Sequence, residues 1–186
     1  MKIDLHCHTK KVKTGDSSGR NVNVELFKRK VEEADVRILA ITNHNCFDLE
    51  QYENFKKAVR EFCQIWPGIE LDIHGEKGRG HLIVIANPNN YQEFSNKIED
   101  LIREESPDKF LVDVQTVFEI VDDCDVIYIP HFHKEPRLSD KDIDKLNVLL
   151  KDKSRLFKET SDYRSLGVYS NFDYSMIIGS DVQDWS

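Results

Sequence analysis

The sequence predicts a parallel α/β protein, and three observations lead there. Seven short apolar runs have the length of buried strands, and stretches with helical spacing separate most of them. Side chains able to ligate or exchange protons gather where those runs end, which in parallel α/β folds is the end that carries chemistry.

The first run is Lys2-Ile3-Asp4-Leu5-His6-Cys7-His8-Thr9, with a strand over 2–6 and two histidines one residue apart. Residues i and i+2 of an extended chain point the same way, so His6 and His8 can grip one ion from one side. Cys7 then faces the core. Residues 9–23 read as a loop around Gly15-Asp16-Ser17-Ser18-Gly19. Leu26, Phe27, Lys30 and Val31 mark an amphipathic helix from 24 to about 35, and 37–42 is a continuous apolar strand ending in Asn43-His44-Asn45. A helix over 49–63 buries Tyr52, Phe55, Val59 and Phe62. A strand region over 65–73 contains Glu70.

The Gly-rich turn at 75–80 carries Lys77 and Arg79 and leads into a strand over 81–86. His81 begins that strand instead of ending it, so only a reversal at the turn would bring it beside the other histidines. Helices are predicted over 91–105 and 112–123, and a strand over 125–130 runs into His131-Phe132-His133. Lys134 and Arg137 follow directly. Ser139 caps a helix to about Leu150, with Asp142 in the capping-box position. Strands over 155–159 and 176–179 complete the set, the last ending in Ser180-Asp181.

The 186 residues fit a single domain (1–186) able to bury a core without staples. With 32% charged residues and a formal charge of −8, the chain reads as an acidic, soluble protein and not a general polyanion binder. No apolar run approaches the roughly 18 residues of a membrane span, and there is no signal-peptide pattern. Four scattered cysteines without a Cys-x-x-Cys pair suggest reduced thiols and a cytoplasmic location. The abrupt end at Asp184-Trp185-Ser186, close behind Asp181, suggests that the natural protein continues.

Several imidazoles, a carboxylate able to bridge (Glu70) and a terminal carboxylate (Asp181) suit borderline divalent ions such as Zn, Mn or Fe. A mixed N/O set without cysteine is the catalytic type of site, and closely spaced ions serve phosphoryl transfer. Cations at the rim (Arg79, Lys134, Arg137) and His133 would then hold phosphate oxygens.

In order, Asp4-Leu5-His6-Cys7-His8-Thr9, Ile41-Thr42-Asn43-His44-Asn45, Gly68-Ile69-Glu70 followed by His81-Leu82, Pro130-His131 and Gly179-Ser180-Asp181 resemble the motifs of the PHP (polymerase and histidinol phosphatase) superfamily. The resemblance implies a distorted (β/α)7 barrel and a phosphoesterase with two to three divalent ions, acting on phosphomonoesters or on phosphodiesters at a nucleic acid end. It also implies the ligands: His6, His8, Glu70 and Asp181 for one ion, Glu70, His81 and His131 for a second. Asp16, His44 and Gln183 take the positions of a third site, which the neutral amide of Gln183 weakens. In hydrolysis, His6, His8, Glu70, His131 and Asp181 would carry the catalytic set. Asn43 stands where relatives have Asp. These two departures favour the alternative: a degenerate PHP module with a structural or regulatory role in a larger ATPase- or polymerase-type assembly. Some PHP domains do precede an ATPase domain, so a fused or partner ATPase is part of what the resemblance implies.

Overall fold

The computed structural model describes residues 1–103, 105–162, 164 and 175–186. Seven strands form one sheet in chain order: β1 (Lys2–Cys7), β2 (Val36–Ile41), β3 (Gln64–Gly75), β4 (Gly78–Ala86), β5 (Val126–His133), β6 (Phe157–Thr160) and β7 (Ser175–Ile177). The helices are α1 (Val24–Glu33), α2 (Leu49–Val59), α3 (Tyr91–Ile102), α4 (Val114–Val121) and α5 (Asp140–Leu149). The predicted elements are thus present, with ends shifted by a few residues. The Ser139–Asp142 capping box forms as expected.

One expectation is corrected. Strands β1–β2–β3 and β5–β6–β7 pair in parallel, but β4 is antiparallel to both its neighbours, so the regular (β/α)7 alternation is not followed. The reason is chain length. Gly75 pairs with Gly78, leaving only Glu76 and Lys77 between the strands, whereas a parallel crossover needs a dozen residues or more. Gly78 takes φ = 113°, which a side chain would resist. The hairpin sets Asp72 opposite His81. A histidine at the start of β4 therefore reaches the end of the sheet where β3 presents Glu70.

Side-chain alternation divides the work between the faces. Ala40, Ile83, Ile85 and Ile129, joined by Leu5, Trp66, Ile127, Phe157 and Ile177, make an apolar floor on the inner face. The same alternation carries Ile83 and Ile85 to His81, Ile127 and Ile129 to His131, and Phe157 to Glu159. The other face is buried under helices. Phe27 and Val31 of α1 and Tyr52, Phe55 and Val59 of α2 pack on Leu39, Ile41 and Ile65, and Phe27 stacks on Phe55 at 4.2 Å. Residues of α3, α4 and α5 cover Ile69, Leu71, Ile73, Leu82 and Val84.

The pairing of β1 with β2 slips twice, between Lys2 and Ile3 and again between Asp4 and Cys7, and the second slip bears on the site. Asp4 pairs with Leu39 and Cys7 with Ile41, so three steps on β1 match two on β2. This one-residue slip lets Leu5 join the inner floor while His6 and His8 also face inward. Cys7 lies fully buried in the outer cluster, as its spacing predicted.

Behind β7 the chain returns to β1. Asp181 N–H donates to His6 O at 2.8 Å, and Ser180 N–H to Asp4 Oδ1 at 3.0 Å. Gly179 allows this approach: a Cβ there would lie 2.2 Å from His6 Cβ. Replacing Gly179 by Ala should therefore cost about 1–3 kcal/mol through forced separation. A lowered thermal midpoint and weaker metal retention are the expected readouts; an unchanged midpoint would mean that the tail does not hold β1.

Candidate metal centre

Glu70 lies at the middle of the inner face, 1% exposed, and five imidazoles surround its carboxylate. Oε2 is 3.4 Å from His6 Nε2, 3.2 Å from His8 Nε2 and 2.7 Å from His44 Nε2. Oε1 is 2.6 Å from His81 Nδ1 and 3.2 Å from His131 Nε2. They come from four places: His6 and His8 from β1 and its end, His44 from the loop after β2, His81 from β4 and His131 from β5. Asp181 closes one side, with Oδ1 3.1 Å from His8 Nε2. Asn45 and Asp181, beside and within this set, have left-handed backbones (φ 44° and 45°), which Asn and Asp tolerate better than most residues.

A second ring holds the first. Glu159 on β6 receives His6 Nδ1 at 2.8 Å and faces His131 Nε2 at 2.9 Å. Asp72 meets His81 Nε2 at 2.9 Å and is itself gripped by Lys13 Nζ at 2.8 Å and Asn45 Nδ2 at 3.0 Å. Lys134 reaches in to Asp181 Oδ2 and His6 Nδ1, both at 3.0 Å, and to Glu159 Oε1 at 3.3 Å. Trp185 donates its indole N–H to His8 O at 2.8 Å and packs on Phe27, fixing the strand end from behind.

On the remaining side, Asp16 Oδ1 is 2.7 Å from His44 Nδ1, so the long loop does reach the centre. Its Oδ2 accepts the N–H groups of Val12 and Lys13. Arg20 lies buried beside them and reaches Gln183 Oε1. The side chain of Asn43 lies outside this set and joins Thr9 N–H, at 2.8 Å, to Gln51 Oε1, while its backbone O accepts Glu70 N–H at 3.2 Å.

The electrostatics show a site short of positive charge. Burial works against ionisation of Glu70, yet His6, His131 and His44 hold it well below its ordinary value. Asp72, Glu159 and Asp181 are likewise held low against burial, by His81 and Lys13, by His131 and His6, and by His8, His6 and Lys134 respectively. Burial opposes a charge on His6, but Glu70 and Glu159 outweigh it and push its pKa up to about 10.

The residues fit divalent ions. Glu70 Oε2 and His131 Nε2 are buried without a well-directed hydrogen bond, although other polar atoms approach within 3 Å. Both are donor atoms that an ion could take up. Three donor sets could each hold an ion: His6, His8 and Glu70; His44, Glu70 and His81; and His6, His131 and Glu159.

The sequence-predicted residues therefore converge, with differences in role. His6, His8, Asp16, His44, Glu70, His81, His131 and Asp181 share one centre. Arg79, His133 and Arg137 instead line a cavity of about 360 Å³ next to it, together with Lys77 and Ser139. Arg79 Nη1 lies 3.6 Å from Asp72 Oδ2 and so borders both. Lys134 is not in that cavity but inside the centre. His74 is exposed, as expected. Glu159, Asp72, Lys13 and Arg20 were missed. Asp72 had a signal, being two residues from Glu70 on one strand face. So had Glu159, a carboxylate closing a strand.

The sequence matches no family model, and no curated protein matches it. Solved structures do. A provisionally assigned metal-dependent phosphoesterase from Bifidobacterium adolescentis matches 98% of this chain and 88% of its own, with a TM-score of 0.64 at 12% identity. A two-domain protein from Bacteroides vulgatus containing a predicted PHP-like metal-dependent phosphoesterase matches at a TM-score of 0.62 and 12% identity, over 99% of this chain and 52% of its own. This chain has the fold of those proteins. Endonuclease Q, in complex with a 27-mer duplex bearing an abasic lesion at the active site, matches over 99% of this chain at a TM-score of 0.58 and 12% identity. The chain spans about half of Endonuclease Q, 49%.

Glu159 should act by orienting His6, whose Nδ1 it holds while Nε2 faces Glu70. Outer partners of metal-binding histidines typically contribute about 10–100-fold in affinity. Glu159→Gln is expected to weaken Mn²⁺ or Zn²⁺ binding by that factor in calorimetric titration while the protein stays folded. Unchanged affinity would remove Glu159 from the centre.

Proposed function

We propose that the chain is a metal-dependent phosphoesterase acting on phosphomonoesters or on the phosphodiesters of a nucleic acid end. The observation that carries this reading is Glu70, a buried carboxylate shared by five imidazoles and bordered by a polar cavity whose lining includes Lys77, Arg79 and Arg137 beside Glu135 and Asp140. His6, His8, Glu70 and Asp181 would hold one ion, and Glu70, His81 and His131 another. When bound, such ions acidify water and stabilise charge on a phosphoryl group. The chain's own residues do the rest. Glu159 and Asp72 fix which imidazole nitrogen faces inward. The floor of Ala40, Ile83, Ile85 and Ile129 closes the centre from below, and low polarity there strengthens every charge interaction above it. Lys77, Arg79 and Arg137 line the cavity and orient phosphate oxygens, the arginines with paired N–H groups. Lys134, 3.0 Å from Asp181, keeps that carboxylate ionised and in place.

The solved relatives support a hydrolase of this general kind, and the duplex bound by Endonuclease Q supports nucleic acid as one substrate class. Native Zn, Mn or Fe all suit the donor set. The second reading, a non-hydrolytic module of a larger ATPase or polymerase assembly, is favoured by Gln183, a neutral amide at the edge of the centre.

Hydrolysis of p-nitrophenyl phosphate and of 5′-labelled DNA and RNA, with Mn²⁺ and with EDTA, separates the two. Metal-dependent turnover of either substrate supports the esterase; bound metal without turnover supports the module. In an active enzyme, Arg79→Ala with Arg137→Ala should raise KM about tenfold or more, the loss of roughly 1.4 kcal/mol of substrate binding. Metal content should not change; its loss would place these arginines in the centre.

A further inference from the structure

We infer that the guanidinium of Arg20 stands in for a metal ion, so that this chain holds two exchangeable ions and one built-in cation. The inference rests on the reading of Glu70 and its imidazoles as a metal centre. Arg20 is 4% exposed, and a carboxylate oxygen, an imidazole nitrogen and an amide oxygen converge on it. Nη1 lies 2.9 Å from Asp16 Oδ1 and 2.9 Å from His44 Nδ1; Nε and Nη2 donate to Gln183 Oε1 at 3.1 and 2.7 Å. A carboxylate, an imidazole and an amide oxygen gathered around one point would otherwise form a cation site. The point is already filled by positive charge.

The partners match this cation better than they match an ion. An amide oxygen has two lone pairs and accepts two N–H groups from one guanidinium, which a neutral imidazole nitrogen cannot do. Gln183 then turns its Nε2 to Asp181 Oδ1 at 2.8 Å, coupling Arg20 to the pocket of His8. His44 does the same on the other side, with Nε2 2.7 Å from Glu70 Oε2. Arg20 is also firmly placed. It ends a short 3₁₀ turn over Ser18–Arg20, and Trp185 N–H donates to Gly19 O at 3.1 Å. Gly19 lets the tail pack there, since a Cβ would lie 2.7 Å from Asp184 Cγ. One contact thus brings residues 20 and 183 together. Because a guanidinium stays protonated at any ordinary pH, it supplies fixed charge but cannot acidify a water.

The weakness of a third ion is then not a matter of Gln183 alone. After Mn²⁺ loading and removal of excess metal, elemental analysis should find two ions per chain in the wild type. Gln183→His should also bind two, because Arg20 still fills the space. Arg20→Ala combined with Gln183→His should bind three. Three ions in the wild type or in Gln183→His would overturn the inference, and neither protein alters Arg20, so a double variant that fails to fold leaves the test decisive. A folded double variant that stays at two would overturn it as well. A wild type that binds no ion would instead overturn the metal reading itself, and this inference with it.

Discussion

A single buried carboxylate organises this molecule. Glu70 is 1% exposed and is held ionised against its burial. An unpaired charge at such a position would cost several kcal/mol. Its surroundings compensate from every direction: β1 brings two imidazoles, the loop after β2 one, β4 one and β5 one. β6 and the segment behind β7 bring Glu159 and Asp181, which anchor those same rings. Side chains from every part of the sheet thus meet at one acidic point.

The reversed strand follows from the same demand. With β4 parallel, its C-terminal end would offer Ala86, and His81 would sit at the far edge of the floor. The two-residue hairpin turns the strand over and sets His81 beside Glu70 and Asp72. The floor then has to be apolar. Ile83 and Ile85 lie under the centre with no polar atoms to compete for the carboxylates, and Ile127, Ile129 and Phe157 complete the layer. Each inner strand therefore reads apolar first and ligating at the site end, except β4, where that order is inverted.

Much of this was legible in the chain. Strand runs end in His6/His8, His44, Glu70, His131 and Asp181, and these converge as the α/β rule demands. Cys7 was placed correctly even though a slip in β1 upsets simple alternation nearby. The antiparallel β4 was visible only as an oddity, a histidine on the wrong end of its run. Glu159 and Asp72 share the face of the ligands, but period-2 patterning says which face a residue takes and not whether that face is wet. Lys134 looked like a rim cation; the path of the chain after His133 carries it inward. Arg20 had no signal at all. It lies in a polar loop, and its partners Asp16, His44 and Gln183 are 4, 24 and 163 residues away.

Charge balance explains why the missed residues are there. The centre gathers the carboxylates of Asp16, Glu70, Asp72, Glu159 and Asp181. Lys13, Arg20 and Lys134 each bond directly to one or more of them. With neutral imidazoles, and with Arg79 left at the border 3.6 Å from Asp72, five negative and three positive charges leave an excess of two negative charges. Protonation of His6 relieves only part of it in the absence of metal. Two divalent ions would reverse the balance to two positive charges, in keeping with the phosphoesterase reading proposed above. A third would add two more in a space already holding a guanidinium, and a divalent ion 4 Å from a single positive charge is repelled by about 8 kcal/mol even with strong screening by the protein. Permanent cations on three side chains thus let the centre keep many ionised ligands while limiting how many ions it can accept.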